Sequence, residues 1–234
     1  VDRLAFNEQL AETARRAAES DDTEYTLERA VSLPVDLIIH CSLAGIAVIT
    51  HGHPAGGTIE HPAVSHADAR HIDELQHKLD QGPLVELRHD DAVISGNVDT
   101  DNRWTQWGAE ASADYHIRSA MAFRLFTDGR TLAALSLYSE EPDAFTRDDL
   151  ADGLAMAAHT GITLASTLEL DQMHTALLSR RVIGEAVGIL RERFTLTSDQ
   201  AFGVLKRLSS QQNLKLAHIA QQLVDTGDLP TPPP

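Results

Sequence analysis

The chain has 234 residues, 42% of them hydrophobic, and a formal net charge of -16 at pH 7, a length that suits one large domain with an appendage better than two full-size domains. It has no apolar run of about 18 residues, which predicts no membrane-spanning helix, and its charged, Ala-rich start from Val1 to Ser20 does not read as a secretory signal. Cys41 is the only cysteine, which excludes an intramolecular disulfide and the common thiolate-rich zinc sites and leads us to expect a cytoplasmic protein.

In chain order, Leu4–Glu19 and Leu27–His40 read as helices, and Pro34 is expected to kink or restart the second because it lacks a backbone donor. Leu43–Thr50 (LAGIAVIT) is apolar and branched enough for a central strand, closed by a loop at His51–Gly57 that holds Pro54, Gly56 and Gly57. Thr58–Val64 is the expected partner strand. Ala67–Leu79 spaces Ile72, Leu75 and Leu79 at helical intervals and should lie on the sheet, and Gly82-Pro83 breaks it. Asn102–Asp114 carries Trp104 and Trp107 on one face of a short helix, where core packing is the expected role. Ser119–Phe126 and Thr131–Tyr138 flank Thr127-Asp128-Gly129-Arg130, and Asp-Gly supplies the positive φ angles of a type I′ hairpin turn. A pocket is expected between the Leu43–Thr50 strand and this hairpin.

From Arg147 onward the pattern is helical. Leu150, Leu154, Ala157, Gly161, Leu164 and Leu168 alternate spacings of four and three, as in a coiled-coil seam, which weakens at Asp171 and Thr175 and resumes at Leu178 and Val182. A helix this long predicts a homodimer with Leu164, Leu168, Leu178 and Val182 at the interface; packing of its early half on the sheet is the other use of the same seam. Two helices follow. Thr197 and Gln200 form a capping box, with Ala201, Phe202, Leu205 and Leu208 as the buried stripe. Asn213 is expected to cap the last helix, whose stripe is Leu216, Ile219, Ala220, Leu223 and Val224 and which Gly227 ends.

The charge is split along the chain. From Gln172 onward seven Lys/Arg stand against five Asp/Glu, a net of +2, whereas the first 171 residues carry 12 basic and 30 acidic side chains, a net of -18. An anionic partner would thus be repelled by most of the chain and accepted at its C-terminal end. On a helical wheel Val182, Ile183, Ala186, Ile189 and Leu190 share the core face, and Arg180, Gly184, Gly188 and Arg191 lie largely opposite. Two exposed glycines, each costing roughly 1 kcal/mol of helix stability relative to Ala, call for close approach by a partner, an RNA backbone or another helix. Arg207 also points outward, and Lys215 stands near the start of the last helix, where backbone donors favour phosphate.

His51 and His53 with His61 or His66 are the competing metal reading, but no H-E-x-x-H arrangement accompanies them and a solvated loop is the preferred account of them. His40 or Cys41 as haem ligands has no better support. The sequence has no nucleophile elbow, phosphate-binding Gly-rich loop or paired-carboxylate motif, so no enzyme, no metal and no resident cofactor are expected.

Ser179–Val224 resembles the ANTAR domain, the antiterminator module of bacterial regulators that binds paired RNA hairpins. The matching residues include Arg181, Val182, Ile183, Ala186, Gly188, Leu190, Ala201, Leu205, Ser209, Asn213, Lys215, Leu216, Ala220 and Val224. The preceding sequence resembles the GAF domains that accompany such modules in actinobacteria, on IDELQ at 72–76, Gly82-Pro83, DNRW at 101–104, LYS at 137–139 and EPDAF at 141–145. Four positions depart from the pattern. Leu84 stands where a Cys is usual, Val187 where Lys is common and Ala217 where Arg is common, while Arg191 replaces a usual Met.

The resemblance implies an α+β fold, with a GAF-like antiparallel sheet and helices, then a long coiled-coil-like helix and a three-helix ANTAR module. The expected layout is an N-terminal helix at 1–23, a sensory domain at 24–170, an RNA-binding helical domain at 171–226 and a disordered tail at 227–234. The function implied is a signal-responsive transcription antitermination regulator. Its sensory domain takes a small-molecule ligand or partner, and structured RNA is bound through Arg180, Arg181, Gly184, Gly188, Arg191, Arg207 and Lys215. The alternative is a ligand or metal sensor that acts through a protein partner without RNA.

Overall fold

The computed structural model describes residues 23–50, 57–127 and 131–229. The predicted helix at 4–19, the loop with His51 and His53, the Asp-Gly turn and the tail beyond 229 lie outside the described residues. The chain divides into two compact units, Val1–Thr167 and Leu168–Pro234.

The first unit begins with α1 (Thr23–Leu37), which continues through Pro34 and ends a turn later, where the Ile38 amide donates to the Pro34 carbonyl at 2.9 Å. Then come β1 (Leu43–Thr50), β2 (Thr58–Val64), α2 (Ala67–Leu79), the single turn α3 (Pro83–Glu86), β3 (Ala92–Ser95), α4 (Thr105–Tyr115), β4 (Ser119–Thr127) and β5 (Thr131–Ser139). β1, β2 and α2 take the bounds that their patterns predict. α3 and β3 were not expected: four residues each are too few to show a period.

The five strands form one antiparallel sheet in the order β2-β1-β5-β4-β3. β1 and β5 pair without interruption from Leu43↔Tyr138 to Thr50↔Thr131. This corrects the expected pocket between β1 and the β4–β5 hairpin: the two are hydrogen-bonded neighbours, with no gap between them. One face of the sheet, through Ala47, Ile49, Ala122, Leu132, Ala134 and Tyr138, packs on Ile72, Leu84, Leu87, Trp104, Trp107 and Ala111. Leu84 is fully buried there, so an apolar contact occupies the position where the family pattern has a thiol. The Trp rings meet edge to face at 5.9 Å, and the Trp104 indole donates to Glu86 at 3.1 Å.

Alternation sends Ile46, Met121, Phe123, Leu135 and Leu137, all buried, to the opposite face. There α1 packs on β1 and β2. The long helix α5 (Arg147–Phe194) reaches the same face with its first turns: a Cβ at Gly153 would stand 2.3 Å from the Phe123 ring, and one at Gly161 2.9 Å from the Leu125 carbonyl oxygen. The seam from Leu150 to Leu168 is therefore used mainly inside the unit. Met156, Ala157, Thr160 and Leu164 are buried along with the two glycines.

A buried polar network ties the layers together. The Tyr138 hydroxyl donates to Asp73 Oδ1 at 2.5 Å and accepts from Gln76 Nε2 at 2.7 Å, and Gln76 Oε1 accepts from the Leu84 amide at 2.8 Å. Asp73 and Gln76 have no exposed surface and Tyr138 has 1%. Burial, reinforced by the Asp73 charge and its hydrogen bond, holds the Tyr138 phenol protonated far above its ordinary range, which keeps it a donor. Around the network the chain is trimmed to fit. A Cβ at Gly45 would lie 3.3 Å from Asp73, and one at Gly82, whose φ is 123°, would lie 2.3 Å from Gln76. On β2, His61 and Pro62 oppose the single residue Ala47, a bulge that turns the His61 imidazole inward to 3.6 Å from Asp73.

A second polar knot joins β3 to α4. Arg103 donates to both oxygens of Asp101, at 3.0 and 2.7 Å, and to the Ile94 carbonyl, and its guanidinium lies 4.1 Å from the Trp104 ring centre. The Arg103 hydrogen bonds hold the Asp101 carboxyl below its ordinary range, with burial opposing them.

Replacing Tyr138 by Phe should cost about 1–3 kcal/mol of stability, the desolvation penalty of a buried acceptor left without its donor. Urea denaturation of both proteins should show a lower midpoint at unchanged slope. An unshifted midpoint would mean that Asp73 does not depend on the phenol.

Candidate functional site

The second unit is a small three-helix module: the C-terminal turns of α5, then α6 (Ser198–Gln212) and α7 (Leu216–Thr226). Its core is Val182, Ala186, Leu190, Ala201, Leu205, Ile219, Ala220 and Leu223. The predicted capping box starts α6: Thr197 Oγ1 accepts from the Gln200 amide at 3.3 Å, and Gln200 Oε1 accepts from the Thr197 amide at 2.9 Å. Asn213 does not cap α7. It ends α6 in the left-handed region, φ 53°, with its amide bonded to the Ser209 carbonyl, a conformation that Asn tolerates better than most residues. Lys215 takes the N-cap position of α7 without a side-chain hydrogen bond.

All seven residues expected to face an anionic partner are exposed: Arg180, Arg181, Gly184, Gly188, Arg191, Arg207 and Lys215. Their electrostatic states differ. Arg181 leans toward Glu185 at 3.7 Å, both well exposed, a contact worth little in water. Arg180, Arg191, Arg207 and Lys215 make no ion pair with another described residue. Arg193, by contrast, donates to the Gly227 carbonyl at 2.5 Å and lies 3.6 Å from Asp228. It is spent on the C-terminus of α7, where a cation offsets the helix dipole. Nothing lies within 4 Å of a Cβ built at Gly184 or Gly188, so neither glycine is required by packing within the chain. One cation was missed by the sequence reading. Lys206, exposed beside Arg207, also has no described carboxylate partner, and its place among polar residues of α6 was the available signal.

The expected dimer contacts separate into two groups. Leu164 is 0% exposed and Val182 8%, each already covered by its own unit, so neither has surface to offer a partner. Leu168 is half-buried and Leu178 exposed. Phe202, assigned to the buried stripe of α6, is instead 43% exposed.

In the first unit, an open cleft of about 360 Å³ is lined by Ser112, His116, Arg118, Glu140 and Pro142. Arg118 is held beside it by Asp99 at 3.1 Å, and its Nε is buried without an acceptor among the described residues. The sequence-level ligand candidates have structural employment. His61 faces Asp73, His66 accepts from the Asp68 amide at the start of α2, and His40 lies 3.0 Å from Glu141. Among the described residues no three His, Cys, Asp or Glu side chains gather as metal ligands. Nor is any described helix long and apolar enough to cross a membrane.

Cys41 is buried, and that burial is the main cause that pushes its thiol up to about 12. It should resist iodoacetamide at pH 8 in the native protein and react fully in denaturant, because only the thiolate attacks. Rapid native alkylation, read by mass spectrometry, would contradict this burial.

The chain thus joins an antiparallel sheet with helices on both faces to a module of three helices that carries exposed cations without described carboxylate partners. The GAF domain family model matches residues 20–165 and the chain belongs to that family; the ANTAR domain model matches residues 171–224. GAF domains are sensory and ANTAR domains are RNA-binding antitermination domains, so both matched parts are regulatory. Among solved structures, the GAF domain of a phosphoenolpyruvate-protein phosphotransferase from Coxiella burnetii is similar over 74% of this chain and 99% of that one, with 11% identity and a TM-score of 0.57. SdiA of Escherichia coli is similar over 95% of this chain and 98% of that one, with 14% identity and a TM-score of 0.53. Free methionine-R-sulfoxide reductase from Neisseria meningitidis is similar over 73% and 95%, with 15% identity and a TM-score of 0.50. At these identities the likeness concerns the fold alone. No curated protein matches the sequence.

Proposed function

We propose that this chain is a signal-responsive transcription antitermination regulator of the cytoplasm, in which the GAF domain receives a signal and the ANTAR domain binds structured RNA hairpins. The observation that carries the reading is the set of cations Arg180, Arg191, Arg207 and Lys215, each exposed without a described carboxylate partner, with Gly184 and Gly188 on the same side of α5 as the first two and open to close approach. Cations free of internal partners can neutralise phosphates at no cost in broken ion pairs, and bare glycine lets a sugar-phosphate chain approach helix backbone. Arg181 adds to the set. A small polar ligand for the GAF domain is supported by the charged cleft at Ser112, His116, Arg118 and Glu140, whose volume falls in the range of ligand pockets.

The test is RNA binding by the full chain across a salt series. Replacing Arg180, Arg191, Arg207 and Lys215 by Ala together should lower affinity at low salt and flatten the slope of log affinity against log salt by about 0.7–0.9 per lost phosphate contact. Circular dichroism should be unchanged, since none of the four is in the core. A variant with wild-type slope would remove these cations from the interface. A wild type that binds no structured RNA would favour the sensor that acts through a protein partner.

The regulator is further proposed to act as a homodimer. Leu154 and Ile162 of α5 are 44% and 69% exposed, and with Ala158 and Ala165 they form an apolar stripe at helical spacing on the side away from the sheet. A second copy of the same helix is the partner whose face has the matching period, and Leu168 and Leu178 would extend the contact. Changing Leu154 and Ile162 to Asp should convert a dimer to a monomer by light scattering with the fold intact, because two charges per chain would otherwise be buried unpaired. Leu164→Asp should instead unfold the GAF domain. A wild type that is monomeric at tens of micromolar would end the dimer proposal.

A further inference from the structure

Phe202 is one of two aromatic residues, with Phe194, that the module's core does not use. It is 43% exposed, and it is absent from both the buried cluster of the ANTAR domain and the half-buried side chains packed against that cluster. An aromatic ring left in water on a helix with a complete apolar stripe has no stabilising role that the helix requires. On its own helix the exposed neighbours one turn away are the polar Ser198, Asp199 and Lys206, and the next residue is Gly203. Nothing lies within 4 Å of a Cβ built at Gly203, so that position is open. Lys206 follows one turn later, exposed and without a described carboxylate partner, with the single carboxylate of Asp199 one turn before, while Arg207 projects from another side of the helix.

An exposed flat apolar ring with a cation one turn away suits a nucleobase: the ring stacks on the base and Lys206 holds a flanking phosphate. A base inside a duplex is already stacked and cannot be reached in this way, whereas an unpaired base in a hairpin loop can be splayed out. We propose that Phe202, flanked by Gly203 and Lys206, is a stacking platform for an unpaired base of the RNA loop, distinct from the phosphate contacts at Arg180, Arg191, Arg207 and Lys215. This rests on the RNA-binding reading and adds to it the part of the RNA that is read.

The experiment uses the full chain and two RNAs: a stem with an adenine-rich loop in which one adenine is replaced by 2-aminopurine, and the same stem closed as a continuous duplex. Phe202→Ala should weaken hairpin binding by about 5- to 100-fold, the range expected for one lost stacking contact. Duplex binding and the salt slope should be unchanged. Wild-type protein should quench the 2-aminopurine fluorescence, Phe202→Ala should not, and Phe202→Trp should restore both quenching and affinity. Equal weakening on hairpin and duplex, or unchanged hairpin affinity in Phe202→Ala, would overturn the platform while leaving RNA binding in place. A changed oligomeric state in Phe202→Ala, with RNA affinity intact, would overturn it in favour of a protein contact. Failure of the wild type to bind either RNA would overturn the platform together with the RNA-binding reading, so the two failures are distinguishable.

Discussion

A carboxyl group with no access to water is the constraint around which the GAF domain is built. Asp73 is completely buried between α2 and the sheet, where an unsatisfied polar group costs several kcal/mol; its Oδ1 accepts from Tyr138, and its Oδ2, without a hydrogen bond among the described residues, has His61 Nε2 at 3.6 Å. Tyr138 must point to that face of β5, which ties the strand's register to the position of α2. Gln76, one turn after Asp73, reaches the same phenol and also receives the Leu84 amide, so the start of α3 is fixed as well. Gly45 leaves room for the carboxylate, and Gly82 adopts a backbone conformation that a side chain could occupy only by displacing Gln76.

This explains what the residues of the family resemblance do. IDELQ, Gly82-Pro83 and the Tyr of LYS meet in one network, DNRW forms the Asp101–Arg103–Trp104 knot, and Asp143 of EPDAF donates its amide to the Gly96 carbonyl at 2.6 Å. These residues hold the domain together, most through side chains and Asp143 through its backbone amide. A signal-specific feature is therefore better sought where the scaffold is open, as in the cleft beside Arg118, than among the residues that define the family.

The long helix α5 shows how one periodic pattern can serve more than one partner. Its glycines at 153 and 161 bring the helix backbone against Phe123 and the Leu125 carbonyl, and Leu164 closes the contact, while Leu154 and Ile162 on the other side stay in water. Further along, Val182, Ala186 and Leu190 enter the core of the ANTAR domain. Two domains thus share a single stretch of helix, each taking the residues that its own core requires. The charge division follows the same line: acidic side chains crowd the sensory part, and the cations from Arg180 onward are left with few carboxylates to meet.

The sequence by itself determined the elements with a strong period or a chemical signature. The apolar run of β1, the helical spacing of α2, the hairpin strands and the capping box at Thr197 are local, and neighbours in the chain are enough to specify them. The exposure of Arg180, Arg191 and Arg207 was legible for the same reason, since a helix's polar side follows from its apolar stripe. Only the tertiary structure decided which apolar residues had a partner. Leu164, Val182 and Phe202 all lie on or beside an apolar stripe, yet the first two are covered by their own units and the third is left in water, because burial depends on what packs from elsewhere in the chain. The same holds for α3, β3 and the β2 bulge at His61. Four residues, or one extra residue, have no period of their own, and their conformation is set by Gln76, by pairing with β4 and by the turn of His61 toward Asp73.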